Sequence, residues 1–291
     1  MANRLRVLKT YKLYIGGKFP RTESGRTLKV RDSDGELVAH VCKASRKDLR
    51  DAVGAAQAAQ PGWAARTAYN RGQVLYRMAE MLEGKAAEFS GLLGATTGSG
   101  KKSAVEEVER AIERLVCFAG WSDKYTQVLG GHNPVAGPFY NFTIPEPTGV
   151  IGIIAPDEQP LLGLISLLAP VLCSGNAVVA LGSDESPLAT AVLGEVCATS
   201  DVPSGVVNLL SGERQELVEV LARHRDVQGI HAAGMGTEAR ATLEAGAGEN
   251  MKRVTVRNLS GKDWYDDSEC HSPYWIEPFV EYKTIWHPSA P

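Results

Sequence analysis

The chain has 291 residues, of which 44% are apolar and 22% charged, the ordinary mixture of a globular protein with a sizeable core. Its formal charge is −3, so a general attraction to nucleic acid or to an anionic membrane is not expected. The longest apolar run, Leu161 to Cys173, is too short to cross a bilayer, and the N-terminal residues lack the apolar core of a secretion signal. These features exclude a collagen, a membrane channel and a disordered regulator, and they predict a cytoplasmic protein.

The cysteines are widely spaced and form neither a CxxC pair nor a Cys/His cluster. They are Cys42, Cys117, Cys173, Cys197 and Cys270. Neither a disulfide scaffold nor a metal site is therefore predicted. Unreactive thiols in a reducing cytosol are the simplest interpretation.

The N-terminal part predicts short strands followed by long helices. Three alternating segments predict strands: 14–19, 27–30 and 37–41. The first two flank the turn-rich Glu23-Ser24-Gly25 and predict a hairpin. Three segments with apolar residues at helical spacing predict amphipathic helices: 46–60, 69–93 and 103–125. Ser45, with Asp48 three residues later, predicts the N-cap of the first helix.

From Thr148 onward, continuous apolar strands alternate with amphipathic helices. The predicted strands are 148–155, 177–181, 205–210, 227–232 and 252–257. The predicted helices between them are 161–174, 187–200, 214–224 and 237–245. Strands that are apolar on both faces indicate a parallel sheet covered by helices, with right-handed connections. The predicted fold is α/β, a doubly wound Rossmann-like parallel sheet with helices on both faces.

Two further alternating segments, 138–144 and 279–286, lie outside this pattern and are predicted to pair as a small β-flap. The stretch 263–272 before the second segment is polar, and residues 266–269 within it are predicted to be a loop. The predicted division is a Rossmann-like domain over 1–137 and 148–262, and a β-flap over 138–147 and 263–291. The aromatic residues concentrated in the flap suit either a partner interface or a cover for the local core.

Two glycine-rich segments are candidates for phosphate binding. Gly234-x-Gly236-x-x-Ala239, between a strand and a helix, has dinucleotide-type spacing, but the usual acid about 20 residues later is missing. The tight turn between a strand and a helix also needs glycine for its backbone conformation, whether or not a phosphate binds. This conformational role is the simpler interpretation. The segment from Gly98 to Ser103 resembles a P-loop but has Ala95 in place of the leading glycine and follows a helix, so it is rejected.

Five motifs occur in one order along the chain: Tyr14-Ile-Gly-Gly17, Gly120-Trp-Ser-Asp-Lys124, Glu146-Pro-Thr-Gly-Val-Ile151, Ala169-Pro170 with Gly175-Asn176, and Gly205-Val-Val-Asn208. In this order they resemble the aldehyde dehydrogenase superfamily, over about the first 262 residues. Glu281-Tyr-Lys-Thr284 looks like the last strand of that family, part of its oligomerisation flap. Only about fifteen residues between Lys262 and Pro278 replace the family's catalytic domain. The layout is most similar to the non-catalytic C-terminal module of family 16 aldehyde dehydrogenases.

The resemblance implies three catalytic roles, and this sequence lacks the residue for each. Cys270 is the only cysteine after the cofactor domain, and its surroundings do not match the family's nucleophile motif. Glu158 occupies the position of the asparagine that stabilises the oxyanion, where a carboxylate would repel it. Asn258 occupies the position of the general-base glutamate. No catalytic residue is therefore assigned.

The resemblance also implies an incomplete cofactor site. Leu181 replaces a lysine that holds the adenosine ribose, whereas Asp184 keeps a carboxylate nearby on a shorter side chain. Gly212 and Gly234 match family glycines, but Arg214 occupies another glycine position and would crowd the approach of an adenine. Asp184, Gly212 and Gly234 are the candidate cofactor-binding residues.

These features predict a catalytically inactive aldehyde dehydrogenase-like module with weak or lost NAD(P) binding, which acts in oligomerisation or protein interaction. The expected partner is a second copy or a full-length aldehyde dehydrogenase module, contacted through the flap; neither nucleic acid binding nor membrane insertion is expected. Two alternatives stay open: an NAD(P)-dependent aldehyde oxidoreductase, and a dinucleotide sensor without chemistry. Titration with NAD, followed by addition of an aldehyde, distinguishes them.

Overall fold

The computed structural model describes residues 7–289. The prediction that no secretion signal is present concerns in part residues 1–6, which lie outside the described residues. The outer ends of the predicted domain ranges, 1–6 and 290–291, lie outside them too.

A small sheet begins the structure, with β1 (Thr10–Tyr11), β2 (Thr27–Arg31) and β3 (Leu37–Cys42) in the order β1-β3-β2. The predicted hairpin between 14–19 and 27–30 is wrong, because β2 pairs antiparallel with β3 instead. Ile15 and Lys18 bridge each other in a tight turn, and Tyr14 bridges to Leu209. Because Ile15 and Lys18 pair with each other, residues 14–19 do not form an extended strand that could pair with β2.

Five helices follow: α1 (Arg46–Ala64), α2 (Ala68–Gly84), α3 (Ala86–Thr97), α4 (Lys101–Trp121) and α5 (Tyr125–Leu129). The predicted N-cap of α1 is confirmed, since the Ser45 hydroxyl accepts from the Asp48 N–H and the Asp48 carboxylate accepts from the Ser45 N–H. The single helix predicted over 69–93 is wrong. The backbone leaves the helical region at Lys85 (φ −109°, ψ 9°), next to Gly84, a poor helix former.

After β4 (Gly131–Asn133) and β5 (Phe139–Pro147), strands and helices alternate regularly. They are β6 (Val150–Ile154), α6 (Pro160–Cys173), β7 (Ala177–Leu181), α7 (Pro187–Thr199), β8 (Val207–Leu210), α8 (Arg214–Arg223), β9 (Gly229–Ala233), α9 (Thr237–Gly248) and β10 (Arg253–Arg257). All five strands are parallel, in the order β10-β9-β6-β7-β8. The predicted doubly wound sheet is confirmed.

Both faces of this sheet are buried, as its continuous apolar strands predict. In β7, Val178 and Ala180 join a core formed with α2, α4, α6 and α7. Their neighbours Val179 and Leu181 join a second core formed with α1, α8 and α9. The chain runs from β6 outward to β7 and β8, then returns to place β9 on the other side of β6. The crevice outside the carboxyl ends of β6 and β9 is thus the topological switch point, where ligands of such sheets bind.

The flap is a three-stranded antiparallel sheet in the order β11-β5-β4, in which β11 spans Val280–Pro288. The pairing runs from Val280 opposite Pro147 to Pro288 opposite Phe139, so the predicted pairing of the two segments is confirmed. Strand β4 was not predicted, because three residues are too few to show an alternation.

The segment between β10 and β11 is folded. It contains 3₁₀ turns at Gly261–Tyr265, Pro273–Trp275 and Glu277–Phe279, together with α10 (Asp267–Cys270). The loop predicted over 266–269 is therefore wrong, since α10 begins at Asp267. Trp264 and Cys270 are buried in the larger core, and their burial outweighs the polar character of the residues between them.

Candidate functional site

The turns that follow β6 and β9 meet closely at the switch point. Gly234, directly after β9, has φ +64°, and a Cβ added there would lie 3.0 Å from the Cβ of Pro156 in the turn after β6. Glycine is needed at this position both for its backbone conformation and for the close approach. Gly234 also lies between two depressions, since it lines both of them.

The first depression, here called the switch-point groove, has a volume of about 440 Å³ and lies between α8 and α9. Ile154, Val218 and Met235 supply apolar surface, and Asp184 and Arg214 stand on its polar side. The twelve residues that line the groove are thus a mixture of apolar and polar residues.

Arg214, the first residue of α8, reaches across this crevice to the turn after β6. Its guanidinium donates to the carbonyl oxygen of Ala155 and to the carboxylate of Asp157. Its Nε lies 3.3 Å from the Asp184 carboxylate, which also accepts from the Arg214 backbone N–H at 3.1 Å. Arg214 is therefore held between two carboxylates over the end of β6.

Asp157 ties the neighbouring turns together. One of its carboxylate oxygens accepts from the Ser183 hydroxyl at 2.8 Å and from the Asp184 N–H at 3.0 Å. Burial raises the pKa of the Asp184 carboxyl, an effect that the Arg214 guanidinium opposes. The turns after β6 and β7 and the start of α8 thus form one network of hydrogen bonds and ion pairs.

The structure brings two of the three candidate cofactor residues together. Asp184 and Gly234 line the switch-point groove, whereas Gly212 is not among its lining residues. A Cβ added to Gly212 would lie 3.0 Å from the backbone nitrogen of Ala44, so glycine is needed there for close packing against the segment before α1.

The second depression, here called the acidic cleft, has a volume of about 960 Å³ and lies on the other side of Gly234. It is lined by the turn after β6, the start of α4 and the segment after β10. Four of its lining residues carry carboxylates: Glu107, Asp157, Glu158 and Glu185. The fifteen residues that line it include neither lysine nor arginine, and of the four carboxylates Asp157 is paired with Arg214.

Glu107 is a titratable residue of this site that the sequence interpretation missed. It is only 4% exposed, and one carboxylate oxygen accepts from the N–H groups of Leu161 at 2.9 Å and Leu162 at 3.2 Å. Burial raises its pKa to about 7 in spite of these hydrogen bonds. Its spacing from Ala104 and Ala111 places it on the apolar face of α4, and this spacing is the signal that could have revealed it.

The positions matched to the family's catalytic residues have structural surroundings of different kinds. Glu158 accepts from the Gly261 N–H at 2.8 Å and so holds the segment after β10, while Asn258 is exposed. Cys270 is fully buried, its thiol contacts the carbonyl oxygen of Asp263 at 3.6 Å, and burial raises its thiol pKa. A buried thiol with a raised pKa is a poor nucleophile, because the thiolate is the reactive form.

All five cysteines are free thiols. Between residues 7 and 289, no group of three or more His, Cys, Asp or Glu side chains is arranged to hold a metal ion. In the same range, no helix combines the length and the apolar character needed to span a bilayer.

A parallel, doubly wound sheet with a glycine turn and a groove at its switch point defines the class of dinucleotide-binding α/β proteins. Within that class, the chain belongs to the aldehyde dehydrogenase family, whose family model matches residues 20–265. The resemblance found in the sequence is confirmed.

Individual relatives agree with this assignment. The chain is 30% identical to omega-crystallin from Enteroctopus dofleini over 264 residues, which are 89% of this chain and 52% of that protein. It is 33% identical to mitochondrial aldehyde dehydrogenase from Rattus norvegicus over 258 residues, 86% of this chain and 48% of that protein. An NAD⁺ complex of aldehyde dehydrogenase from Bacillus cereus superposes with a TM-score of 0.81 at 25% identity, covering 85% of this chain and 50% of that one. The chain thus spans about half the length of the curated relatives it matches.

The fold is one that holds NAD⁺ in a solved relative, but the residues of this chain do not fit a dinucleotide in the arrangement described. Arg214 and Asp157 cross the switch-point crevice, where a pyrophosphate would have to pass. Leu181 is buried in the core and offers no hydrogen-bond donor.

Proposed function

We propose that this chain is a catalytically inactive aldehyde dehydrogenase-like module that acts in oligomerisation or protein interaction through its β-flap, with weak or lost NAD(P) binding. The observation that carries this proposal is the path of the chain after β10. It reaches the flap strand β11 through a short segment that packs into the core, so no second domain is inserted there to supply a nucleophile, an oxyanion donor and a base.

Buried contacts support a structural role for this segment. Arg114, which is fully buried, donates to the carbonyl oxygen of Trp264 at 3.0 Å and to the Ser166 hydroxyl at 2.8 Å. The indole N–H of Trp121 donates to the carbonyl oxygen of His271 at 2.8 Å. Hydrogen bonds from side chains of α4 to backbone carbonyls hold the segment in one conformation, as expected for an integral part of a folding unit.

The flap is firmly attached at its base. The side chain of Asn176 is buried, and it donates to the carbonyl oxygen of Phe279 at 2.9 Å while accepting from the Gly149 N–H at 2.7 Å. It therefore links the start of β11 to the start of β6. A rigidly anchored base lets the outer part of the flap present a defined surface to a partner.

The exposure of the flap aromatics favours an interface over a cover for the local core. Tyr140 is 50% exposed on one face of the sheet, whereas Tyr282 and Trp286 are 47% and 58% exposed on the other. Aromatic residues of this kind are enriched as anchors in protein interfaces. A small sheet that is exposed on both faces gains little stability from its own packing, so a partner would stabilise it.

Two measurements test the proposal. Calorimetric titration with NAD and with NADP, followed by an aldehyde, is expected to show little or no binding and no formation of reduced cofactor. Size-exclusion chromatography with light scattering at several concentrations is expected to show a concentration-dependent dimer. Turnover of an aldehyde by the isolated chain, or a strictly monomeric state at every concentration, would contradict it.

A further inference from the structure

We propose that two copies of this chain associate through the outer face of α2, with the two helices antiparallel about Gln73. A depression of about 690 Å³ lies along this face, here called the tyrosine groove because Tyr69 and Tyr76 line it. None of the fourteen described residues that line it belongs to β4, β5 or β11. The contact is therefore separate from the flap and goes beyond the proposed function.

The outer face of α2 exposes two aromatic side chains. The inner face of the helix is buried in the core through residues such as Val74, Met78 and Leu82. On the outer face Tyr69 is 69% exposed and Tyr76 is 52% exposed, and the seven residues between their positions correspond to about 10 Å along the helix. Tyrosine is enriched as an anchor in protein interfaces, so this face has the character of a docking surface.

The tyrosine groove has a rigid base. A Cβ added to Gly72 would lie 2.8 Å from the carbonyl oxygen of Ala119, so α2 packs closely against the end of α4. The buried side chain of Arg71 donates to the carbonyl oxygens of Arg66 at 2.7 Å and Cys173 at 3.1 Å, which fixes the start of α2. A surface held in this way loses little conformational entropy when it binds a partner.

The charges around the groove are balanced. Its charged lining residues are three bases and three acids: Arg66, Arg77, Lys124, Glu80, Asp123 and Asp201. A strongly acidic or strongly basic partner would gain no net attraction from this set. A surface with the same balance can place an opposite charge against each of these groups, and a second copy of the chain offers such a surface.

The exposed positions of α2 and of the residue before its N-cap are symmetric about Gln73. In an antiparallel pair centred on this residue, Arg66 lies opposite Glu80 of the second copy and can form an ion pair. Tyr69 lies opposite Arg77 of the second copy, which allows a cation–π contact. Because the interface is isologous, each of these contacts occurs twice.

A register that stacked the two tyrosines on each other would be less favourable. It would place Arg66 opposite Ala79, which is buried. It would place Glu80 opposite Ala65, so neither charge would meet an opposite charge. Charge complementarity therefore favours the register about Gln73.

Charge reversal in the whole chain tests the pairing. Glu80→Lys and Arg66→Glu each place like charges opposite each other, so each should weaken self-association about tenfold in analytical ultracentrifugation. The double variant Arg66→Glu/Glu80→Lys restores opposite charges and should associate within about threefold of wild type. The substitutions also remove the bonds from Arg66 to Asn70 and from Arg77 to Glu80 within one chain, but a loss caused by those bonds would not be recovered in the double variant.

The matched control is Glu83→Lys, which makes the same change of charge at an exposed position of α2 outside the proposed pairs. It should associate like wild type, and circular dichroism checks that every variant is folded. A double variant that associates as weakly as the single variants, or a Glu83→Lys chain that is weakened as much as Glu80→Lys, would overturn the pairing.

Oxidative crosslinking tests the position of the axis. Helices packed with their axes about 8–10 Å apart bring the two Gln73 Cα atoms within about 7 Å, so Gln73→Cys should give a covalent dimer. The two copies of Glu83→Cys would lie about 30 Å apart along the helices and should not crosslink. Equal crosslinking of the two variants would overturn the α2 contact while leaving flap-mediated assembly standing, and a wild-type chain that stays monomeric would overturn both.

Discussion

Glu107→Gln is expected to change how the free energy of unfolding depends on pH. The carboxyl group of Glu107 is almost completely buried in α4, where it accepts from two N–H groups at the start of α6. Glutamine has nearly the same shape, and its carbonyl oxygen can accept the same hydrogen bonds without ever carrying a charge.

The sign and size of the effect follow from the pKa of Glu107, which burial raises from 4.5 to about 7. The folded state therefore holds its proton more tightly than the unfolded state does. The contribution of Glu107 to stability is fully present below pH 4.5 and is lost as the pH rises through about 7. A rise of this size corresponds to about 3 kcal/mol.

Urea unfolding of wild type and Glu107→Gln at several pH values between 4.5 and 8 measures this contribution. All other titrating groups are shared, so the difference in unfolding free energy between the two proteins isolates Glu107. We expect wild type to lose about 3 kcal/mol relative to the variant across this range. A difference that stays constant with pH, or that changes in the opposite direction, would refute the assignment of a buried carboxyl with a raised pKa.

Three further predictions concern the crevice and the thiol. Arg214→Gly is expected to open the switch-point crevice and to bind NAD more tightly than wild type by calorimetry, whereas equal affinities would show that Arg214 is no barrier. Gly234→Ala is expected to lower the free energy of unfolding by about 1–3 kcal/mol because of its positive φ and its contact with Pro156. The control Gly236→Ala, with open space around its Cβ, should cost less than about 1 kcal/mol, and equal losses would contradict this explanation. Cys270→Ala is expected to leave formation of NADH from NAD and an aldehyde at the same background level, and a decrease would assign chemistry to this thiol.

Local sequence patterns were sufficient for most of the fold. The strand predicted over 177–181 has the observed bounds. A short run that is apolar throughout is typical of a parallel strand whose two faces are both covered by helices. The capping box at Ser45 and the pairing of the two flap segments also depend on short-range patterns. The predictions failed where the deciding contact is remote in sequence or the element is very short, as in the N-terminal hairpin and in the segment before β11.

At the candidate site, too, the sequence indicated local features and missed contacts between residues that are remote along the chain. The resemblance to the family pointed to Asp184 and Gly234, which match family positions directly after strands, and the structure places both at the switch-point groove. It did not show that Gly212 packs against Ala44, since the two residues are far apart along the chain.

By itself, the sequence determined the family and the parallel sheet, because each depends on residue type and order. Only the tertiary structure decided how the remaining residues are used. Arg214 joins the turn after β6, Glu107 is buried against the start of α6, and Gly212 packs against Ala44. These outcomes depend on which surfaces meet when the layers pack, and packing brings together side chains whose separation in sequence conceals their contact.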